Sequence, residues 1–281
     1  MILVTAIDFY IKFTSMFNMR CVFCKNESSL SISVEHIIPQ SLGNTKNFLP
    51  KGIVCDSCNN YFALKIEKPL LEQPFFKNLR ARNWISNKKG RIPSEDIRFI
   101  GAKEKSIVHR SKKDKTPIEI DIDTDFFSSI INNEITELIF PTEVERPEED
   151  NKIIARFIGK VGVETLAQIL YLKDGGLEYL TDDKQFDPIR EYVRFERSHT
   201  KWCYYTRKIY DETGDIQYNP KGYKPKELMY EYNLFYTTQS ELYICIIIKG
   251  HEFTLNMGGP SIDGYMDWLI ENNNASPLYI K

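Results

Sequence analysis

Two closely spaced pairs of cysteines constrain the fold of this 281-residue chain more than any other feature. Each pair encloses two residues, and the pairs lie about 30 residues apart; they consist of Cys21, Cys24, Cys55 and Cys58. Two such C-x-x-C knuckles supply four thiolates to one tetrahedral zinc ion. A zinc ion with four thiolate ligands has no open coordination position, so the predicted zinc site is structural.

The rest of the composition is that of an ordinary soluble globular protein, and the net charge of −2 neither favours nor excludes a nucleic-acid partner. Six cysteines are compatible with a secreted disulfide scaffold. Four of the six lie in the knuckles, however, which favours thiolate–zinc chemistry in a reducing compartment. We therefore expect a cytoplasmic protein, with Cys203 and Cys245 as small apolar residues buried in strands.

The first 18 residues are fairly apolar, but Asp8 and Lys12 interrupt them and no positively charged segment precedes them. We expect neither a signal peptide nor a membrane anchor from this pattern. Met16 and Met19 stand just before the first knuckle. Residues 1–18 are therefore interpreted either as an N-terminal extension that docks on the protein or as the product of a misassigned start site.

Turn residues and hydrophobic periodicity predict an α+β fold with three parts after this extension. Residues 19–72 form a small metal module in the order strand, turn, strand, helix. Residues 73–150 form a connecting region that is first basic and then acidic. Residues 151–281 form an α+β domain with a helix over 152–173 and an antiparallel β meander. We expect this domain to regulate, to recognise a partner protein or to form a homo-oligomer.

Charge is strongly uneven in the connecting region. Residues 77–115 contain 13 Lys and Arg against 4 Asp and Glu, whereas residues 119–150 contain 11 acidic residues and one Arg. Basic residues interleaved with aromatic ones suit phosphate contact and base stacking. The predicted nucleic-acid contacts are Arg80, Arg82, Lys88, Lys89 and Arg91. The alternative is that both runs are solvated faces of ordinary elements.

The segment between the knuckles holds a carboxylate beside an imidazole, in the order Glu35-His36-Ile-Ile-Pro. The second knuckle continues as Val-Cys-x-x-Cys-Asn-Asn-Tyr-Phe, so Asn59 directly follows the last cysteine. This composite motif, over residues 20–67, resembles that of the HNH endonucleases. More narrowly, it is similar to the branch whose ββα-metal core is braced by two C-x-x-C zinc knuckles.

The resemblance implies a role for each residue of the motif. His36 would be the general base that takes a proton from the attacking water. Glu35 and Asn59 would hold a catalytic divalent ion, Mg²⁺ or Mn²⁺, distinct from the zinc. Asn60 would exchange places with Asn59 if the register differed by one residue. Lys51 is interpreted either as a contact to the scissile phosphate or, more often for such a residue, as a surface lysine.

One position departs from the family pattern. The family's middle asparagine, which orients the base, normally lies a few residues before the second knuckle, but residues 48–54 contain none. Either Asn47 takes this role or a backbone carbonyl group holds His36. A further segment, residues 160–167, is similar to a helical element that accompanies this nuclease type in some longer proteins, and the sequence attaches no chemistry to it.

The leading hypothesis is therefore a metal-dependent HNH endonuclease that hydrolyses phosphodiester bonds, in DNA rather than RNA, with a role in microbial defence or restriction. The alternative from another class is a zinc-dependent nucleic-acid-binding module without catalysis. That alternative accounts for the cysteines and the basic run, but leaves Glu35, His36 and Asn59 unexplained. A thiol redox protein is a third reading, which requires reactive rather than metal-bound thiols.

Overall fold

The computed structural model describes most of the chain from Met19 onward. The described residues are 19–100, 106–111, 118–122, 124–135, 137–139, 146–197, 201–212 and 229–279. The predicted N-terminal extension, residues 1–18, lies outside them. Contacts group the chain into two compact units. The first comprises residues 1–38, 44–69 and 148–281, and the second comprises residues 39–43 and 70–147.

The predicted α+β fold class is confirmed, because the described residues form helices together with antiparallel sheets. The domain boundaries drawn from the sequence stay a prediction, since a division by contacts does not test which segments fold independently. It does group the chain differently, because the cysteine-rich segment and the C-terminal region fall in one unit.

The cysteine-rich segment contains a minimal hairpin followed by a helix. Strand β1 (Glu35–His36) pairs antiparallel with strand β2 (Phe48–Leu49). Helix α1 (Asp56–Phe62) begins at the last knuckle and continues through a π-helical turn (Ala63–Glu67) into helix α2 (Lys68–Glu72). The sequence predicted a strand over much of residues 30–38, but only its last part is paired.

The C-terminal part of the first unit consists of helices around a four-stranded sheet. Its elements are α5 (Lys152–Leu170), α6 (Gly176–Asp182), α7 (Asp187–Arg190), a π-helical turn (Glu191–Phe195), β7 (Tyr205–Lys208), β8 (Tyr230–Tyr236), β9 (Leu242–Ile248), β10 (His251–Asn256) and α8 (Asp263–Glu271). The strand order is β7-β10-β9-β8, and all pairs are antiparallel. Strands β8 to β10 form the predicted meander, because short turns join them. Strand β7 instead pairs with β10, at the edge of the sheet opposite β8.

Helix α5 is the central element of this part and packs against strands β8, β9 and β10. Gly162 allows the close approach, because a Cβ atom there would lie 2.2 Å from the Met257 sulfur and 3.1 Å from an Ile244 methyl carbon. Despite this burial, α5 carries Arg156, Lys160 and Glu164 at four-residue steps, all fully buried. Residues four apart lie on one face of a helix, so α5 has a buried polar stripe.

The described residues of the second unit include a separate sheet and further helices. Its elements are α3 (Pro74–Arg82), β3 (Glu95–Phe99), β4 (Ser106–Arg110), β5 (Ile118–Asp121), α4 (Thr124–Ile131) and β6 (Leu138–Ile139). The strand order is β5-β4-β3-β6, again antiparallel. Burial alternates along β3 and β4 with the period of two that a half-buried sheet requires. The described residues of the region that composition marks as a connection thus include regular helices and strands.

The described helices differ from membrane spans in length or in apolar character. None of them is both long enough and apolar enough to cross a bilayer. Helix α5 has 19 residues, but it includes the charged stripe of Arg156, Lys160 and Glu164.

The Asn151 side chain caps helix α5 and generates a first prediction. Its Oδ1 accepts hydrogen bonds from the backbone N–H groups of Ile153 (2.9 Å) and Ile154 (3.2 Å). Asn151→Ala should lower the free energy of unfolding by roughly 1 kcal/mol, because it leaves these donors without their acceptor. Asn151→Asp should retain stability, because a carboxylate caps equally well. Urea denaturation followed by circular dichroism measures both; equal stability of the alanine variant and the native chain would contradict the capping role.

Candidate functional site

The four knuckle cysteines converge on one point. Their Sγ atoms all lie within 4.8 Å of one another, and those of Cys24 and Cys55 are 3.6 Å apart. A tetrahedral zinc with Zn–S bonds of about 2.3 Å requires sulfur atoms about 3.8 Å apart. Among the described residues, this is the one group of His, Cys, Asp and Glu side chains whose ligand atoms cluster in this way. The donor set and its spacing therefore fit the predicted structural zinc.

Hydrogen bonds within the cluster favour the thiolate at Cys24 and Cys55, whereas they raise the pKa of Cys21 and Cys58. The Cys21 thiol hydrogen-bonds to Cys24 and lowers the pKa of the Cys24 thiol to about 6. Hydrogen bonds with Cys21 and Cys24 likewise hold the pKa of Cys55 far below its ordinary value. The backbone N–H groups of Cys55 and Cys58 each donate to a cysteine sulfur at 3.4 Å. Such bonds stabilise the anionic form that a metal binds.

An arginine of the C-terminal region lies against this cluster. Arg194, in the π-helical turn after α7, donates from Nε to the Cys58 sulfur at 3.1 Å. Its guanidinium carbon lies 4.0 Å from the centroid of the Tyr61 ring. The hydroxyl group of Tyr61 in turn accepts from the buried Arg156 at 2.7 Å. A cation beside a four-thiolate site offsets its negative charge, and nothing in the local sequence around Arg194 signals this role.

The carboxylate and imidazole of the central motif lie on strand β1. Glu35 is opposite Leu49 and His36 is opposite Phe48. The Glu35 side chain is 5% exposed, whereas His36 is half-buried and its ring centroid is 6.2 Å from that of Phe48. The strand therefore turns the carboxylate inward and leaves the imidazole partly accessible.

The Glu35 carboxylate is bound by a lysine of helix α5. The Lys160 ammonium, fully buried, lies 2.7 Å from Glu35, 3.2 Å from Glu67 and 2.9 Å from Glu164. It also donates to the backbone carbonyl oxygen of His36 at 3.3 Å. One cation thus joins strand β1, the helical segment that follows the second knuckle, and helix α5. We call Lys160, Glu35, Glu67 and Glu164 the lysine–glutamate cluster.

Electrostatics keep this lysine charged. Burial by itself lowers the pKa of Lys160, but the carboxylates of Glu164, Glu35 and Glu67 outweigh it and raise the pKa well above its ordinary value. Burial also raises the pKa of Glu164 well above the usual range of a carboxyl group.

The loop between β1 and β2 is held by two asparagines. The Asn44 side chain donates to the carbonyl groups of Ile38 and Asn47, both at 2.6 Å, and its Oδ1 accepts from the Tyr230 hydroxyl at 2.8 Å. The Asn47 side-chain amide lies 3.3 Å from the same hydroxyl. Asn47 as the residue that orients His36 stays a prediction, as does the backbone alternative.

The other predicted site residues lie on or beside helix α1. Asn59 is half-buried in its second turn, Asn60 is exposed, and Lys51 is exposed before the second knuckle. Asn59 precedes Glu67 by eight residues in one continuous helical segment, and Glu67 is bound to Lys160. The segment that carries Asn59 is therefore connected to Glu35 through this lysine. The catalytic roles of Glu35, His36 and Asn59 stay predictions.

The described basic residues of the second unit lie in different environments. A cleft of about 430 Å³ is lined by Lys77, Arg80 and Arg91 among other residues. Burial lowers the pKa of Arg80. Arg82 instead lies 3.6 Å from the buried Glu95, which also binds Arg110 at 2.7 Å.

Two further predicted contacts, Lys88 and Lys89, are exposed on a loop. The Asn87 Oδ1 atom accepts hydrogen bonds from the backbone N–H groups of Lys89 and Arg91 in this loop. The predicted contacts of this unit thus include one residue in a structural ion pair and two in a cleft. The number of Lys and Arg residues in a segment does not show which of them lie in an ion pair, in a cleft or on an exposed loop.

Sequence reasoning missed Lys160, Glu67, Glu164 and Arg194. One signal was available for the first of them: Lys160 and Glu164 stand four residues apart among apolar residues of a helix. Charged residues on the apolar face of a helix are rarely buried without a partner. The partner Glu35 is distant in sequence, so the pattern alone does not identify it.

Comparison with known proteins gives one family. Residues 21–75 match the model of the HNH endonuclease family. The matched segment contains both knuckles, Glu35, His36 and Asn59, and the clustered cysteines agree with the two-knuckle description. Neither the curated proteins nor the solved structures include a significant match to the chain. The recognition of an HNH endonuclease segment from the sequence is confirmed.

The contact between Arg194 and Cys58 generates a second prediction. The purified chain should contain one zinc ion, and Arg194→Met should release it to a chelator at roughly 10-fold lower chelator concentration, because the variant lacks the charge beside the thiolates. Arg197→Met is the matched control, since Arg197 lies 4.7 Å from the centroid of the Phe195 ring and its described contacts include no cysteine. Zinc release is followed with a chromogenic chelator. Equal release from both variants would contradict the role of Arg194.

Proposed function

We propose that this chain, whose residues 21–75 match the HNH endonuclease family, is a metal-dependent endonuclease that hydrolyses phosphodiester bonds of nucleic acid, with DNA favoured over RNA. The observation that carries the proposal is the family match over a segment in which Glu35 and His36 lie on a strand fixed to the rest of the unit. A binding module has no need for an acid–imidazole pair held in this way.

In the proposed reaction His36 is the general base. A neutral imidazole accepts a proton from water near neutral pH, and the hydroxide formed attacks the phosphorus atom. The 3′-oxygen leaves on the opposite side. Because the His36 side chain is half-buried on β1, with Phe48 beside it, its ring has restricted orientations while solvent reaches it. The strand and its pairing with β2 hold the base in place.

We propose that Glu35 and Asn59 hold a second, catalytic metal ion. Glu35 offers a carboxylate and Asn59 an amide oxygen, the hard ligands that Mg²⁺ and Mn²⁺ prefer. A carboxylate provides about four lone-pair positions, so the bond from Lys160 to Oε1 leaves Glu35 compatible with a metal. A divalent cation there would neutralise charge on the phosphate and on the leaving oxygen. Asn60 is the alternative ligand, and Lys51 is the proposed contact to the scissile phosphate.

We further propose that the second unit holds nucleic acid through its basic cleft and loop. Lys77, Arg80 and Arg91 line the cleft, and Lys88 and Lys89 extend from the adjoining loop. Arg82 is the weakest of the predicted contacts, because its guanidinium group faces Glu95. Phosphate contacts of this kind contribute affinity without sequence specificity.

The biological setting rests on the resemblance alone. Nucleases with this plan serve in microbial defence and restriction, and we propose that setting, in the cytoplasm, for this chain. The C-terminal region would then regulate or recognise, either as a homo-oligomer or through a partner protein.

Substitution of the proposed base generates a third prediction. His36→Ala should lower plasmid cleavage in the presence of Mg²⁺ or Mn²⁺ by roughly 100-fold or more, because no general base remains. Zinc content and secondary structure should be unchanged, since His36 is not part of the cysteine cluster. Parallel assays on single-stranded and double-stranded DNA and RNA identify the preferred substrate.

The matched control for this experiment is His109→Ala. His109 is an exposed histidine of strand β4, and its ring pairs with Asp121 at 2.8 Å. This variant should cleave as the native chain does. Undiminished cleavage by His36→Ala, or the absence of cleavage by the native chain with every divalent ion, would overturn the nuclease proposal. Binding without cleavage would support the zinc-dependent binding module instead.

The basic loop generates a fourth prediction. Combined substitution of Lys88, Lys89 and Arg91 by alanine should weaken duplex binding, and the slope of log K against log salt should become shallower by roughly one for each lost phosphate contact. Lys173→Ala, an exposed lysine after helix α5, is the control. Fluorescence anisotropy at several salt concentrations measures the slope. An unchanged slope would assign the basic run to solvated surface.

A further inference from the structure

Lys160 holds an unusual position for a lysine, because its ammonium is entirely buried although lysine is among the residues least often found inside proteins. A charge in such a place persists only when it is paired and hydrogen-bonded. Lys160 has three carboxylate neighbours within 3.2 Å and the carbonyl oxygen of His36 at 3.3 Å. Its ammonium also lies 5.8 Å from the centroid of the Phe62 ring.

The partners of Lys160 belong to different segments of the chain. Glu164 lies one turn further along the same helix, so it needs no tertiary fold to reach the lysine. Glu35 lies on strand β1, and Glu67 follows helix α1. Because the ammonium bonds both the side chain of Glu35 and the backbone of His36, it fixes two consecutive residues of the proposed nuclease centre. Within the hairpin β1 pairs with β2, and the Asn44 side chain bonds the carbonyl group of Ile38 and the hydroxyl group of Tyr230.

We propose that Lys160 is a positioning residue of the nuclease centre, which holds the Glu35 carboxylate and the His36 backbone in the arrangement that cleavage requires. This proposal rests on the proposed function. It extends the centre beyond the segment that matches the family, because Lys160 belongs to helix α5, outside residues 21–75. It also gives a role to residues 160–167, to which the sequence attached none.

A purely structural role for Lys160 makes a different prediction. If the lysine–glutamate cluster only stabilised the fold, its loss would lower stability while the folded fraction kept its activity. A positioning role instead lowers the turnover of fully folded protein. A misplacement of about 1 Å can reduce the rate roughly 100-fold without loss of substrate binding. Turnover and substrate affinity must therefore be measured separately on folded, zinc-containing protein.

The experiment compares Lys160→Met and Lys160→Arg with Lys152→Met in the full-length chain. Lys152 lies on the same helix and forms an exposed ion pair with Glu196 at 3.2 Å, so it controls for the loss of a lysine from α5. With saturating Mg²⁺ and plasmid DNA, Lys160→Met should reduce kcat roughly 100-fold with KM changed less than about 3-fold. Lys160→Arg should be more active than Lys160→Met, because it restores a cation. Lys152→Met should match the native chain.

A second variant tests the proposal if Lys160→Met does not fold. Removal of Lys160 alone leaves the fully buried Glu164 without its cation, whereas Lys160→Met combined with Glu164→Leu removes the buried pair together. This double variant should fold, keep its zinc and still show the reduced kcat, because Glu35 and His36 have lost their anchor. Native kcat in the folded double variant would overturn the proposal.

A spectroscopic measurement separates this proposal from the nuclease assignment. The chain has four histidines, so imidazole resonances of isotope-labelled protein can be assigned with His36→Ala. The His36 resonances should shift in Lys160→Met and in the double variant, but not in Lys152→Met. If His36→Ala cleaves normally, the proposed function fails, whereas the His36 resonances still test the positioning. Unshifted resonances or undiminished kcat in the folded Lys160 variants would overturn the role of Lys160.

Discussion

The convergence of four thiols is the constraint on which the N-terminal segment of the first unit depends. Its only described strands are two residues long, and so short a hairpin is not stable by itself in water. A zinc ion bound by the four cysteines would close residues 21–58 into a loop and so reduce the conformational entropy that folding has to overcome. The hairpin that carries Glu35 and His36 can then be small and partly open. This partly open hairpin leaves the His36 imidazole half-exposed to solvent.

The second support of this segment comes from the C-terminal region, through the polar contacts of three side chains. Lys160 reaches Glu35, Arg194 reaches Cys58, and Tyr230 reaches Asn44. Directed bonds of this kind fix orientation more closely than apolar packing, which tolerates small shifts. A catalytic pair needs fixed orientation more than it needs extra stability. Polar contacts from the C-terminal region therefore suit the fixed orientation that the proposed cleavage reaction requires.

The sequence predicted what is encoded locally. Cysteine spacing indicated the cluster because both members of each pair lie in one turn, and the Glu35–His36 dipeptide was found because its neighbours form a continuous motif. Helix α5 was likewise predicted from its periodicity. The ion pair between Lys160 and Glu35 could not be predicted, because a lysine in a helix is usually a surface residue. The sequence around Lys160 does not show that a carboxylate distant in sequence lies beside it in the fold. Strand β7 was placed in a simple meander for the same reason: pairing between strands distant in sequence leaves no local signal.

The lysine–glutamate cluster also has a consequence for how the chain can diverge. A buried cation and its carboxylates interact strongly, so the effects of substitutions at these positions are not additive. Loss of the lysine is tolerated more easily when a carboxylate is lost with it. Natural sequence variation at position 160 should therefore be correlated with variation at positions 35, 67 and 164, although 124 positions separate Lys160 from His36. The first and middle thirds of the chain share this charge balance, so substitutions in one third are constrained by the residues of the other.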